Sequence, residues 1–222
     1  MREPPLDYPP YKSTALRHPK QPLIAVGPER GGPALSHLRP GEISNDLTAD
    51  GPVGERITVT GRLLDSDGRP IPDSLVEIWQ ANAAGRYRHR WDTWPAPLDP
   101  NFQGGGRTVT DSEGRYSFVT IKPGPYPWRN HHNAWRPAHI HFSLFGRAFT
   151  QRLVTQMYFP DDPLFFQDPI FTAIPEAARP LAISRSDYER TEPNWAMAFQ
   201  WDIVLRGRDQ TPFETDDDGD VA

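Results

Sequence analysis

From about residue 54 onward, apolar and polar residues alternate in short runs that are separated by turn-forming residues. Residues 57–64 alternate in this way, residues 65–70 (DSDGRP) supply a turn, and the alternation returns at residues 74–79. A second unit of strand, turn and strand occupies residues 107–119 and has DSEG at its turn. A period of two residues places successive side chains on opposite faces of a strand. Both units therefore predict paired β-strands.

Three further runs predict strands at residues 138–144, 152–159 and 198–205, and short helical turns are predicted near residues 163–167 and 175–178. The 26 prolines and 17 glycines imply many turns, long loops and little helix. We therefore predict an all-β fold, namely a β-sandwich with long loops, short helical turns and an extended N-terminal arm.

The first 51 residues lack any regular spacing of apolar side chains. Prolines, which forbid a regular helix, recur there at positions 4, 5, 9, 10, 19 and 22. We predict three regions: an extended proline-rich arm at residues 1–51, a catalytic β-sandwich domain at residues 52–210 and an acidic tail at residues 211–222. An arm of this length either moves freely or is held by a partner.

Charge and composition argue against several classes of function. The formal net charge of -5 gives no basic surface, so nucleic acid is not an expected partner. No apolar run approaches the roughly 20 residues of a membrane span, and residues 1–5 do not resemble a signal peptide. The absence of cysteine fits the expected cytoplasmic location and excludes disulfides, thiolate zinc sites and a cysteine nucleophile.

The most informative polar residues are two histidines in the run RPAHIHF at residues 136–142. In a strand, His139 and His141 share one face while Ile140 and Phe142 share the other. Two imidazoles on one face form half of a metal site. The same pattern also fits two half-buried histidines that hydrogen-bond to their neighbours, so the spacing alone leaves both interpretations open.

Tyrosines are the most suitable additional ligands. No histidine follows His141, and the H-x-D/E motif of a ferrous site is absent. Tyr87 lies in GRYRH, and Tyr126 lies in PGPYPW, where a proline on each side restricts the backbone. A phenolate is a hard anionic donor that suits ferric iron, and a bound cation favours loss of the phenol proton.

Several runs resemble the intradiol ring-cleavage dioxygenases. They occur in the order found in that family and cover most of the chain: LVEIWQAN (75–82), GRYRH (85–89), APLDPNF (96–102), IKPGPYPWRN (121–130), WRPAHIHF (135–142), TQMYF (155–159) and DIVLRG (202–207). A set of such matches is far more specific than an H-x-H motif.

The resemblance implies one Fe(III) ion per chain, held by Tyr87, Tyr126, His139 and His141. In the family pattern, Tyr87 and His139 are equatorial ligands and Tyr126 and His141 are axial ligands. It also implies catalytic roles for Tyr126, as the ligand that leaves the metal and takes a substrate proton, and for two residues that stabilise negative charge on the substrate. By the same resemblance the charge-stabilising residues are Arg136 and Gln156, and the substrate-binding residues are Tyr11, Arg17, Trp128 and Ile170.

The runs are most similar to the iron-bearing chain of the heteromeric members of the family. This implies cleavage of protocatechuate (3,4-dihydroxybenzoate) with O2 to 3-carboxy-cis,cis-muconate, in the β-ketoadipate pathway of aromatic catabolism. It also implies a partner, the α subunit of the same enzyme, against which the proline-rich arm packs. The expected partners are therefore this subunit, an aromatic substrate and O2, with no nucleic acid and no membrane.

Two alternatives remain at this stage. Catechol and hydroxyquinol dioxygenases share the four-ligand pattern, so the substrate is less certain than the reaction. The repeated strand–turn–strand units are also similar to transthyretin-like modules that bind partners without catalysis. Those modules are shorter than this chain and lack the combination of two tyrosines and two histidines.

Overall fold

The computed structural model describes residues 44–90, 92–129, 131–145 and 152–213. Residues 1–43 of the predicted arm, which include Tyr11 and Arg17, lie outside the described residues, as do residues 214–222 of the predicted tail.

The described residues are mostly strands joined by long loops. The strands are β1 (Arg56–Leu64), β2 (Leu75–Trp79), β3 (Gly105–Val109), β4 (Arg115–Ile121), β5 (Tyr126–Trp128), β6 (Ala134–Arg136), β7 (His139–Phe145), β8 (Arg152–Tyr158), β9 (Arg185–Ser186), β10 (Met197–Gln200) and β11 (Ile203–Val204). The helical segments are one α-helix, α1 (Pro169–Thr172), and two 3-10 turns at Phe165–Gln167 and Glu176–Ala182. None of the helices in the described ranges is long and apolar enough to cross a membrane.

The strands form two larger sheets and one small hairpin. In the first sheet β1 is central: it pairs antiparallel with β4 and parallel with β10 and β11, while β9 joins the edge of β10. The second sheet is antiparallel with the order β3-β2-β7-β8. The short strands β5 and β6 pair with each other.

The two sheets enclose the main hydrophobic core. Ile57 and Val59 of β1 and Ile140 and Phe142 of β7 are all fully buried in it. The ring centre of Phe142 lies 5.8 Å from that of Phe118 on β4, so side chains of the two sheets interdigitate. Because apolar residues of β7 face this core at every second position, the residues between them face the opposite side of the sheet.

The all-β prediction is confirmed, and three local features differ from it. The predicted strand at 198–205 is interrupted at Trp201, because the Asp202 carboxylate accepts the Arg62 amide at 2.9 Å in place of a strand bond. The helix α1 follows the predicted turn near residue 167. Tyr126, whose backbone is restricted by a proline on each side, lies in a strand, β5, that was not predicted, since three residues around a proline are too short to show a period of two.

Candidate metal centre

Strand β7 places His139 and His141 on the face that points away from the core. In the register of the sheet, His139 lies opposite Tyr158, and His141 lies between Gln156 of β8 and Trp79 of β2. Directly opposed residues of antiparallel strands share a face. The Trp79 indole accordingly stacks on the His141 ring, with centroids 4.9 Å apart and planes 4° from parallel.

The two tyrosines reach this face from separate segments. Tyr126 on β5 pairs with Arg136 on β6, three residues before His139. Tyr87 follows a turn that is held by Asn82, whose side-chain oxygen accepts the Arg86 amide at 2.9 Å, and the Asp92 carboxylate accepts the Tyr87 amide at 2.8 Å. At Gly85 the two segments come so close that a β-carbon would lie 2.3 Å from the carbonyl oxygen of Pro125. The backbones that carry the tyrosines therefore meet at this glycine.

The polar atoms of the four side chains converge on a small region. The Tyr87 hydroxyl lies 3.4 Å from Nε2 of His139 and 3.1 Å from Nε2 of His141. The Tyr126 hydroxyl lies 3.3 Å from Nε2 of His139. The structure thus brings together the four residues that the sequence predicted as metal ligands, although they come from β5, β7 and a loop.

Hydrogen bonding and burial determine the form of His139. Its Nδ1 donates to the carbonyl oxygen of Pro137 at 2.7 Å, which leaves the Nε2 lone pair directed toward the phenols. Burial and the nearby positive charge of Arg136 lower the pKa of His139 well below its ordinary value, against the effect of that hydrogen bond. The ring is therefore neutral near pH 7, which is the form that binds metal.

These donors fit one ferric ion. Atoms bound to one ion at about 2 Å lie roughly 3 Å apart when their bonds are at right angles, and the measured separations are 3.1–3.4 Å. Within the described ranges there is no cluster of three or more histidine, cysteine, aspartate or glutamate side chains that could hold a metal. The four candidate ligands include no carboxylate, so the only groups among them that can carry a negative charge are the phenol oxygens. These oxygens favour a hard trivalent cation.

Arg136 is buried beside the four candidate ligands. Its Nη2 donates to Gln156 Oε1 and, at 3.2 Å, to the Tyr158 hydroxyl, while its Nε lies 3.0 Å from Oδ1 of Asp168. The guanidinium carbon lies 6.0 Å from the centre of the Trp128 ring. Arg136 and Gln156, predicted to act together on the substrate, are thus in direct contact.

The positive charge of Arg136 interacts with the phenols of the candidate ligands Tyr126 and Tyr87. Burial opposes that charge, but the neighbouring Asp168 carboxylate and then the phenols of Tyr126, Tyr158 and Tyr87 raise the pKa of Arg136 well above its ordinary value. Arg136 therefore remains charged and can stabilise negative charge that develops in the pocket.

Apolar side chains form one wall beside Tyr126. Trp128 and Ile170, both predicted to contact substrate, are buried in a cluster that contains Tyr126 and against which Tyr87 packs. Ile170 is carried by α1, far along the chain from Trp128 on β5. The structure brings these two predicted residues to the same side of the candidate centre.

Comparison with known proteins accounts for this arrangement. A family model described as "Dioxygenase" matches residues 31–207, and a model described as "Protocatechuate 3,4-dioxygenase beta subunit N terminal" matches residues 4–29. The chain is 55% identical over 215 residues to the protocatechuate 3,4-dioxygenase beta chain of Burkholderia cepacia, covering 93% of this chain and 92% of that one. It belongs to the intradiol ring-cleavage dioxygenase family.

Three further relatives match this chain at lower identity. The protocatechuate 3,4-dioxygenase alpha chain of Pseudomonas putida is 30% identical over 174 residues, covering 78% of this chain and 82% of that one. Hydroxyquinol 1,2-dioxygenase of Rhizobium sp. (strain MTP-10005) is 36% identical over 129 residues, covering 53% and 42%. The crystal structure of 3-chlorocatechol 1,2-dioxygenase from Rhodococcus opacus 1CP superposes with a TM-score of 0.58 at 26% identity, covering 79% and 71%.

Sequence reasoning missed two polar residues at this family site. Tyr158 lies two residues after Gln156 and so shares its face, a signal that the run TQMYF contains. Burial, followed by the charge of Asp168, raises the pKa of Tyr158 well above its ordinary value, so its hydroxyl stays protonated. Asp168 precedes Pro169, which signals only a helix N-terminus and gives no hint of a contact with Arg136.

Proposed function

We propose that this chain is the iron-bearing subunit of an intradiol dioxygenase that cleaves protocatechuate with O2 to 3-carboxy-cis,cis-muconate. The observation that carries the proposal is the convergence of two phenol oxygens and two imidazole nitrogens, which are linked by three contacts of 3.1–3.4 Å. The 55% identity to a protocatechuate 3,4-dioxygenase beta chain supports both the reaction and the substrate.

One Fe(III) per chain would be held by Tyr87, Tyr126, His139 and His141. When bound, it supplies Lewis-acid chemistry that draws electron density from a deprotonated catechol. The neutral His139 and the fixed orientation of its ring, set by the bond to Pro137, prepare the protein side of the centre before metal arrives.

The remaining site residues act on the substrate. Tyr126 Oη accepts one phenolic proton as the catechol binds, which keeps the charge of the pocket constant. Arg136 and Gln156, joined by a hydrogen bond, stabilise the negative charge that develops on the ring. Trp128 and Ile170 are both buried and exclude water from that side.

The substrate carboxylate distinguishes protocatechuate from catechol and hydroxyquinol. We propose that Tyr11 and Arg17 direct a hydroxyl and a positive charge toward that carboxylate. Both residues fall within residues 4–29, which match a model of the protocatechuate dioxygenase beta subunit N terminus. The hydroxyquinol relative matches only 129 residues of this chain, which makes the hydroxyquinol and catechol alternatives weaker.

The partner is an α chain of the same enzyme. The relatives include both beta and alpha chains of protocatechuate 3,4-dioxygenases, and an alpha chain is itself similar to most of this chain. We propose a hetero-oligomer in which the arm packs against the α subunit, so that the pocket is completed between the two chains. The end of the predicted arm, residues 44–47, instead bonds to β3 and β4 of this chain.

Oxygen uptake with protocatechuate, catechol and hydroxyquinol, together with product spectra, tests this function. The purified hetero-oligomer is expected to consume O2 fastest with protocatechuate and to give a carboxymuconate spectrum. Tyr188, which is 78% exposed, provides a matched control: Tyr188→Phe should leave turnover unchanged, whereas Tyr126→Phe should reduce it. Faster O2 uptake with catechol than with protocatechuate would identify catechol as the substrate. No O2 uptake with any of the three compounds would reject the proposed function.

A further inference from the structure

Asp168 forms a fully buried ion pair with Arg136. The Asp168 carboxylate is 0% exposed and the Arg136 side chain 3% exposed, with Oδ1 and Nε 3.0 Å apart. The other ion pairs within the described ranges are all more exposed. A buried guanidinium without a partner is strongly unfavourable, so Asp168 balances the charge of Arg136.

The Asp168 carboxylate contacts three groups at once. Besides Arg136, it accepts the Tyr158 hydroxyl through Oδ2 at 3.2 Å and the Ile170 amide through Oδ1 at 2.9 Å. Tyr158 belongs to β8 and Ile170 to α1, so the carboxylate is fixed from two separate elements. A carboxylate that is fixed in this way can orient the group with which it pairs.

The guanidinium is held by hydrogen bonds at one nitrogen and by an ion pair at another. Gln156 and Tyr158 accept from Nη2, while Oδ1 of Asp168 lies 3.0 Å from Nε as a charge partner, without the geometry of a hydrogen bond. Because a guanidinium is planar and rigid, these contacts together limit the orientation of the charge. In that orientation the group lies against the face of Trp128, beside the candidate ligand Tyr126.

We propose that Asp168 is a positioning residue that acts through Arg136, by holding the guanidinium in the orientation that places its charge beside the reacting catechol ring. The inference rests on the proposed function, in which Arg136 stabilises charge on that ring. Asp168 contacts neither the candidate metal ligands nor, in this proposal, the substrate. Its bond to the Ile170 amide holds α1 and can also be accepted by an asparagine oxygen, so its charge acts on the reaction through Arg136.

Asp168→Asn tests the proposal in the iron-loaded hetero-oligomer, because it removes the charge while keeping a side chain of the same shape. Small misplacement of a catalytic group lowers rates by up to about a hundredfold. We expect kcat to fall roughly 10- to 100-fold, with anaerobic binding of protocatechuate little changed. Asp187→Asn, which breaks the more exposed pair with Arg190, is the matched control and should behave as wild type.

A double-mutant cycle separates positioning from a structural role. In the Arg136→Leu background, Asp168→Asn should lower kcat by less than about threefold further, since the group that it positions is gone. A structural role predicts the same fold-loss in both backgrounds. Equal losses in both backgrounds, or a normal kcat in Asp168→Asn, would overturn the proposal.

A second variant covers the case in which Asp168→Asn does not fold. Tyr158→Phe keeps the ion pair but removes the hydroxyl that touches both partners. Because Tyr158 also contacts both partners, kcat is expected to fall, but by less than in Arg136→Leu, which supports positioning by the ion pair; a loss as large as that of Arg136→Leu assigns the role to Tyr158 and overturns the proposal.

Melting of the iron-free hetero-oligomer distinguishes failure of this inference from failure of the proposed function. Either single substitution of the pair should lower Tm by about 10 °C, and the double substitution should lower it no further, because no unpaired charge remains. Additive shifts would contradict the pairing. If the wild-type enzyme does not consume O2 with protocatechuate, the proposed function fails while this melting result still stands by itself.

Discussion

At the residue scale, the two tyrosines have different surroundings although both approach His139. The Tyr87 hydroxyl lies within 3.4 Å of both histidine nitrogens, and the Tyr126 hydroxyl lies 3.3 Å from that of His139. Tyr126 also belongs to the apolar cluster with Trp128 and Ile170, on the side where we place the substrate. The position of Tyr126 in this cluster agrees with the exchangeable role that we propose for it, beside the substrate.

Substitution of each tyrosine should therefore have a distinct result. Tyr87→Phe is expected to lower the iron content of the purified protein, because it removes the donor shared between the two imidazoles. Tyr126→Phe should retain iron but slow substrate binding and product release. Metal analysis and stopped-flow absorption measure the two effects, with Tyr188→Phe as the control. Normal iron content and turnover in both site variants would remove these tyrosines from the centre.

At the element scale, the centre depends on how closely the Tyr87 segment approaches the β5–β6 hairpin. Gly85 has φ of +75°, and a β-carbon there would lie 2.3 Å from the Pro125 carbonyl oxygen. Gly68 has the same φ but nothing within 4 Å of the equivalent position. Substitution of each glycine by alanine therefore distinguishes the effect of backbone strain, which both positions share, from the effect of a steric clash, which only Gly85 of the two would have.

Gly85→Ala should displace Tyr87 relative to Tyr126 and reduce both iron binding and turnover. Gly68→Ala should cost about 1 kcal/mol of stability through its backbone conformation and leave iron binding intact. Iron content, activity and urea unfolding of the two variants make the comparison. Equal iron content in both would show that the approach of the two segments is not required.

The contact between Tyr116 on β4 and Trp201, which lies between β10 and β11, predicts that the folded state loses stability at high pH. The Tyr116 hydroxyl donates to the Trp201 carbonyl at 2.5 Å, and burial followed by the charge of Asp202 raises the pKa of Tyr116 well above its ordinary value. The folded state thus keeps a proton that the unfolded chain releases above about pH 10. Stability from this group is complete below that pH and falls as the pH rises further.

Tyr116→Phe tests this linkage by urea unfolding at pH 8 and near pH 11. The variant should be less stable at pH 8 by about 1–3 kcal/mol, since a buried carbonyl loses its donor. Its loss of stability between the two pH values should be smaller than that of the wild type. The same pH dependence in both proteins would contradict the role of Tyr116.

Much of this architecture could be predicted from the sequence, but some contacts could not. The alternation in β1 and β7 was sufficient, since a period of two distinguishes the faces, and the motif order identified the four candidate ligands. The β5–β6 hairpin was missed because three residues around Pro127 contain no period. The pairing of Asp168 with Arg136 was missed because it joins α1 to β6, and local sequence carries no information on that distance.

At the scale of the whole molecule, the proposed function includes a second subunit. The arm carries Tyr11 and Arg17 and also the apolar residues Leu16, Leu23 and Ile24 without helical or strand periodicity. Such a segment gains little by burying itself and is suited to packing on a partner.

Expression with and without an α chain tests this requirement. The chain alone should be poorly soluble or nearly inactive. Co-expression should restore turnover together with the reddish colour expected of phenolate-bound ferric iron. Size-exclusion chromatography with oxygen uptake measures both. Full specific activity from a homogeneous preparation of this chain alone would favour a homomeric enzyme of the catechol type.

Resonance Raman spectroscopy of the iron-loaded enzyme tests the central claim most directly, because it reports the ligands rather than the reaction. Phenolate-to-iron charge transfer from Tyr87 and Tyr126 should make the protein reddish without substrate, and excitation in that band should enhance tyrosinate vibrations. Replacement of either tyrosine by phenylalanine should change those bands. A colourless protein that contains stoichiometric zinc or ferrous iron, with no tyrosinate vibrations, would contradict the ferric centre proposed here.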